Sequence, residues 1–194
     1  MVGEIRDSET AKIAVESSLT GHLVFSTLHT NNASGVIPRL IDLGVNPKTI
    51  TSSLSLGVAQ RLVRKICENC KKKKENAEKE IQEIRKVLRD AVSEGKDLSS
   101  YGINPEMDIT LYESVGCEAC NNTGYKGRIG IFEAIVANDP ELEKIIPENP
   151  SEREIKQISD KQGIIDMKED GVIKVIKGTT TLEEVKSVVD IESD

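Results

Sequence analysis

Val2-Gly3-Glu4-Ile5-Arg6-Asp7, a helical stretch, and then His22-Leu23-Val24-Phe25-Ser26-Thr27-Leu28-His29-Thr30-Asn31: how this segment is read decides the fold. The first part reads as the second half of a strand with no leading segment before it, so the chain is expected to be the C-terminal part of a longer protein. Asp7 is a good N-cap, and Ala11, Ala14, Val15, Ser18 and Leu19 then fall on one helical face before Thr20-Gly21 ends the run. His22 to Phe25 is a short apolar run without alternation, the pattern of a parallel strand buried on both faces. Strand, helix, strand is a βαβ unit. Ligands of open α/β sheets sit beyond the carboxyl ends of the strands, and both ends here carry polar clusters: Glu4, Arg6 and Asp7 on one, Ser26 to Asn31 on the other.

Beyond this unit, Asn32 caps a helix running through Leu43, with Pro38 marking a kink or a late start and Gly44 closing it. Asn46-Pro47 opens a short helical stretch to about Gly57, and a basic segment, Gln60 to Ile66, follows. From Glu75 to Ser93 the residues Ile81, Ile84, Val87, Leu88, Ala91 and Val92 keep helical spacing, which predicts an amphipathic, core-packed helix. Ser99 to Asp108 reads as loop and Arg128 to Val136 as strand. Asp139 to Val189 reads as three or four small helices punctuated by Pro147, Pro150, Gly163 and Gly178.

All four cysteines form two Cys-x-x-Cys pairs, Cys67/Cys70 and Cys117/Cys120, the arrangement by which two knuckles hold a tetrahedral structural Zn2+. The 46 residues between the pairs, which contain the amphipathic helix, must fold out and back to bring the knuckles together. Disulfide and redox readings stand as alternatives, disfavoured by an expected cytosolic location and by the duplication of the pair. Four ligands leave no open coordination position, so the metal is expected to hold structure and do no chemistry.

Composition narrows the function. A net charge of -7 and only five aromatic side chains, three Tyr and two Phe, argue against nucleic acid as the partner. Between Gln60 and Lys74 the chain is nonetheless basic, with Arg61, Arg64, Lys65 and Lys71 to Lys74 against Glu68 alone. That stretch reads as a solvated face beside the metal site, or as a docking surface for acidic partner groups or membrane headgroups. No apolar run approaches the roughly 20 residues of a membrane span, and no signal pattern opens the chain.

Val2 to Asp7, Glu9-Thr10-Ala11 and Leu19 to Asn31 closely resemble the Walker B and histidine-box segments of the ATPases that power type II secretion and type IV pilus assembly. Arg39-Leu40, Gln60 to Arg64, both cysteine pairs, Gly124 to Glu133, Asp170-Gly171 and Glu183-Glu184-Val185 extend the resemblance over nearly the whole chain. It is weakest from Glu75 to Leu111. The resemblance implies a cytoplasmic motor, peripheral to the inner membrane: a RecA-like homo-hexamer that hydrolyses ATP with Mg2+ and works on an inner-membrane platform protein. It implies that Glu4 acts on the attacking water or through magnesium, that His29 attends the γ-phosphate region, and that Arg128 lies near the nucleotide base. Arg6, Arg39, Arg61 and Arg64 are candidates for phosphate or subunit contacts, and His22 is not expected in the site.

The expected fold class is α/β: a partial RecA-like sheet with helices, a four-cysteine zinc subdomain and a small C-terminal helical region. The expected division is 1–66 for the ATPase-core part, 67–127 for the zinc subdomain with its inserted helix, and 128–194 for the returning strand and helices. One departure from the family pattern is large: no Gly-x-x-x-x-Gly-Lys-Ser/Thr loop is present, so ATP and Mg2+ belong to the full-length parent and the isolated chain is expected not to hydrolyse ATP. The rival reading is a non-catalytic, zinc-stabilised protein-binding module.

Overall fold

The Asp7 carboxylate accepts from Thr10 N–H at 2.8 Å and so starts α1 (Ser8–Leu19), whose inner face is Ala11 and Ala14. The computed structural model describes residues 1–191 and is of mixed α/β type. Its residues form two compact units. One takes Met1–Ala59 and Glu133–Ile164; the other takes Gln60–Phe132 and everything described from Ile165 onward.

In the first unit α1 packs on α3 (Pro47–Ser53), with α2 (Val36–Asp42) between them in sequence. The helix after Asn32 takes the late start: Asn32 Oδ1 accepts from Gly35 N–H at 2.9 Å, and Pro38 falls in the first turn of α2, where its missing N–H costs nothing. Gly44, at φ +79°, ends α2 in a Schellman turn, with Val45 N–H donating to the Leu40 carbonyl and Gly44 N–H to that of Ile41. Helices α5 (Pro140–Ile145) and α6 (Glu152–Ser159) complete the unit. Leu142 of α5, Ile155 of α6 and Ile146 of the turn after α5 join Ile5, Ala11, Ile37, Leu40 and Ile50 in one core.

The βαβ reading holds only in part. Val2 N–H donates to the Phe25 carbonyl and Ile5 N–H to the Thr27 carbonyl, each at 2.9 Å, so the segments on either side of α1 run parallel. Two such bonds make no continuous ladder, and neither segment is a regular strand. Nor is His22 to Phe25 buried on both faces as its composition suggests: Leu23 is 81% and Phe25 64% exposed, while Val24 and Leu28 pack on the core. An extended chain alternates its side chains, and among the described residues only one face has a core against it.

The second unit is organised around α4 (Glu78–Ser93), the amphipathic helix between the cysteine pairs, which packs on α7 (Met167–Ile176). Ile84, Val87, Leu88 and Ala91 meet Val172, Ile173 and Val175, together with Leu182 and Val185 of α8 (Leu182–Lys186). Each of the Val, Leu and Ile side chains among these contributes about 1.5–3 kcal/mol of burial. Val92, expected on this face, is 49% exposed. The basic stretch from Gln60 belongs to a strand, β1 (Leu56–Ile66), which pairs with β4 (Tyr125–Val136); a second small sheet joins β2 (Lys71–Lys73) to β3 (Tyr112–Ser114).

Candidate functional site

Glu4 and Arg6 lie two residues apart, on either side of the buried Ile5, and their side chains meet. His29 lies two residues from Thr27, whose carbonyl accepts from Ile5 N–H and whose hydroxyl donates to the Gly3 carbonyl at 3.0 Å. This local register sets the imidazole opposite the carboxylate. His29 Nε2 contacts Glu4 Oε1, and Arg6 Nε forms an ion pair with Glu4 Oε2 at 2.5 Å. Glu4 is 26% exposed at its side chain, while His29 and Arg6 are 75% and 71% exposed. The cluster therefore opens outward, with the carboxylate as its most protected member. The two residues singled out from the sequence, Glu4 and His29, are brought into direct contact. His22 is not; its Nδ1 lies 3.2 Å from Thr20 Oγ1.

The turn that follows His29 is fastened by residues from distant sequence. Glu133, on β4, accepts from Ala33 N–H at 2.6 Å, and Glu152 accepts from Asn32 Nδ2 at 2.6 Å. A carboxylate on a backbone N–H is a strong, directional anchor. No local pattern marks Glu133 for this role, because its partner lies 100 residues away.

In the second unit the four cysteine sulfurs converge within 4.8 Å of one another. Three of the edges are 3.9 Å for Cys67–Cys117, 3.8 Å for Cys70–Cys120 and 3.7 Å for Cys117–Cys120. A tetrahedron of thiolates at about 2.3 Å from a central zinc has edges of about 3.8 Å, so the donor set fits such an ion. The geometry comes from two tight turns. Cys70 and Lys71 N–H both donate to the Cys67 carbonyl, and Cys120 and Asn122 N–H both donate to that of Cys117. Gly116, at φ +101°, passes so close to the second turn that a Cβ there would sit 2.8 Å from the Asn122 oxygen. Antiparallel β2–β3, with Lys71 opposite Ser114, holds the two turns side by side. Burial raises the Cys120 thiol, but N–H donation from Cys117 and Gly124 outweighs it and brings the group down to about 6, whereas burial pushes Cys70 up to about 11.

Arg128 belongs to this second unit, whereas Glu4 and His29 belong to the first. It lines a cavity of about 230 Å³ with Arg64, Thr123, Tyr125 and Gly127. Arg64 is already committed: its Nε and terminal nitrogen donate to the two Glu184 oxygens at 3.0 and 2.5 Å, and its guanidinium carbon sits 4.2 Å from the centre of the Tyr125 ring. That bidentate grip, assisted by Arg64 N–H, holds the Glu184 carboxyl below its ordinary range. Among the described residues no helix is long and apolar enough to cross a membrane.

The family model for type II/IV secretion system proteins matches residues 1–187. The type IV pilus assembly ATPase PilB of Thermus thermophilus is 45% identical over 186 residues, covering 95% of this chain and 19% of that protein. PilB of Myxococcus xanthus is 42% identical, covering 95% of this chain and 30% of its own length. Type II secretion system protein E of Pseudomonas aeruginosa is also 42% identical, with coverages of 97% and 34%. The chain thus spans about a third or less of these relatives. Among solved structures, the Legionella pneumophila ATPase DotB aligns at TM-score 0.57 with 20% identity, over 96% of this chain and 37% of that one. DotB of Yersinia pseudotuberculosis aligns at TM-score 0.60 with 16% identity, over 99% and 37%; both likenesses bear on the fold alone.

Proposed function

This chain belongs to the type II/IV secretion system protein family, and on that premise we propose that it supplies the hydrolytic carboxylate to a longer ATPase that drives type II secretion or type IV pilus assembly. What carries the reading is the contact of Glu4 with His29, at the carboxyl ends of two parallel extended segments. Those segments, with α1 between them, belong to a RecA-like core in the longer protein. Glu4 is the base: it accepts a proton from water as the water oxygen bonds to the terminal phosphorus and the bond to the nucleoside diphosphate breaks. Magnesium, when bound with the nucleotide, would neutralise phosphate charge, and Glu4 is the residue of this chain that would face it. His29 stands beside the γ-phosphate, and Arg128 near the nucleotide base.

Cys67, Cys70, Cys117 and Cys120 hold one structural zinc ion, supported by sulfur spacings that match a tetrahedral thiolate shell. The longer protein is a cytoplasmic homo-hexamer docked on an inner-membrane platform protein. The phosphate-gripping loop lies outside this chain, which alone does not turn over ATP. The test is Glu4→Gln in a chimera of Myxococcus xanthus PilB that carries this chain in place of the matched segment: nucleotide binding persists and hydrolysis is lost. Hydrolysis close to the unsubstituted chimera's would sink the assignment.

A further inference from the structure

We propose that Glu133 is a positioning residue for His29, fixing the chain that leaves the imidazole so that the ring stays opposite Glu4; this rests on the roles of Glu4 and His29 just given. The His29 side chain is 75% exposed, so it has little packing of its own to hold it where it stands. Its place comes from the backbone on either side. Before it, Thr27 is tied twice to the first segment, by its carbonyl to Ile5 N–H and by its hydroxyl to the Gly3 carbonyl, and Leu28 packs on the core. After it, residues 31–35 bend and turn into α2. A chain tied on one side only leaves its other side able to swing, and the second tie comes from far along the sequence.

Glu133 Oε1 accepts from Ala33 N–H at 2.6 Å, and within the turn the Thr30 hydroxyl donates to the Asn32 carbonyl at 2.9 Å. Ala33 is 1% exposed, so water cannot replace the carboxylate on its N–H. An unpaired buried N–H costs about 1–3 kcal/mol, enough for the turn to shift rather than leave it so. His29 shifts with it. Glu133 can bear this because the chain around it is fixed: Ile135 lies in the same core as Ala33, and the Gln162 amide accepts from Val136 N–H at 2.9 Å and donates to the Val136 carbonyl at 2.8 Å. The other tie, Glu152 to Asn32 Nδ2, is exposed to water that competes for it, so Glu133 is the deciding one.

Two variants separate reach from charge. Glu133→Asp keeps the carboxylate but draws it back by one methylene, while Glu133→Gln keeps the reach and an accepting oxygen without the charge. The sequence has two histidines, so 15N-histidine spectra of the full chain report His29 against His22. Glu133→Asp should displace the His29 ring signals and leave those of His22 in place; Glu133→Gln should displace them less than half as far. In the PilB chimera Glu133→Asp should lower kcat about fivefold or more with KM kept, and should have no further effect in the His29→Ala background. An undisturbed His29 in Glu133→Asp, His22 moving equally, Glu133→Gln displacing His29 as far as Glu133→Asp, or an equal loss of kcat with and without His29→Ala each overturns the role. The two readings fail separately. Turnover that survives Glu4→Gln removes Glu4 as the base and leaves the spectra to judge the anchor, whereas a silent Glu133→Asp removes the anchor and leaves Glu4 standing.

Discussion

Lys96 and Glu169 meet at 2.8 Å with side chains only 1% and 3% exposed, an ion pair almost wholly inside the second unit. Both carboxylate oxygens are used, since Oε1 takes Lys96 and Oε2 accepts from Asp166 N–H, the start of α7. Burial alone lowers the Lys96 ammonium, but Glu169 and Glu94 more than offset this and hold it above the ordinary lysine range.

Lys96→Met strands the Glu169 charge in the interior. The expected loss is about 3–5 kcal/mol of stability, because the penalty of an unpaired buried ion exceeds that of removing both partners. The double variant Lys96→Met, Glu169→Met should recover part of it. Urea unfolding of the three proteins decides the matter, and a single variant as stable as the parent rules out the pair as a structural tie.

Reduced, freshly purified chain is expected to carry about one zinc with all-sulfur ligation near 2.3 Å, visible by X-ray absorption. Chelation should lower its melting temperature, since the second unit would lose the link between its two cysteine turns. Metal content far below one per chain, or disulfides in that preparation, argues for a different use of the four thiols.

The isolated chain should show no ATP hydrolysis above background. In the PilB chimera, Glu4→Gln should reduce turnover about 10²- to 10⁴-fold, the usual worth of a positioned base, with nucleotide affinity kept. His29→Ala should cost less, as one contact among several. Steady-state rates and nucleotide affinities for both variants provide the check; an isolated chain whose activity disappears with Glu4→Ala contradicts the first expectation.

Glu184 gives a pH-dependent signature. Its carboxyl lies below the ordinary value of 4.5, chiefly through the Arg64 hydrogen bond, so the pair's contribution is complete above about pH 4.5. It fades as the pH falls through the lowered folded value. The gap in melting temperature between the parent and Glu184→Gln should therefore narrow below about pH 4.5, while acid effects on the cysteine site cancel in the comparison. A gap that is unchanged down to pH 3 assigns the stabilisation to packing, such as the Arg64–Tyr125 stack.

Much of this was legible because its causes are local. Asp7, Asn46, Gly44 and the spacing of Ile84, Val87, Leu88 and Ala91 each act within a few residues: Asp7 and Asn46 start their helices, Gly44 ends α2 and α4 faces the core as expected, although α3 stops at Ser53 and not near Gly57. The convergence of the cysteines was equally legible, because four thiols in two pairs have few other uses. β1 was not recognised as a strand. Its second half, Gln60 to Ile66, buries only Val63 and Ile66 and exposes the rest, so the alternation that marks a half-buried strand is missing. The exposure of Leu23 and Phe25 was misjudged because an apolar run reports what a residue prefers and cannot say what lies against it. Long-range anchors such as Glu133 on Ala33 and Glu184 on Arg64 have no local signal at all.

The cysteine site also sets an order of events during synthesis. Cys67 and Cys117 are separated by 50 positions, so at about 5–20 residues per second the first knuckle leaves the ribosome several seconds before the second exists. For that interval Cys67 and Cys70 are an open dithiol, able to lose a metal as readily as gain one and exposed to oxidation. If the four thiols hold zinc as proposed, a cell short of the metal or under oxidative stress would damage this protein while it is being made, even if the finished molecule withstands both.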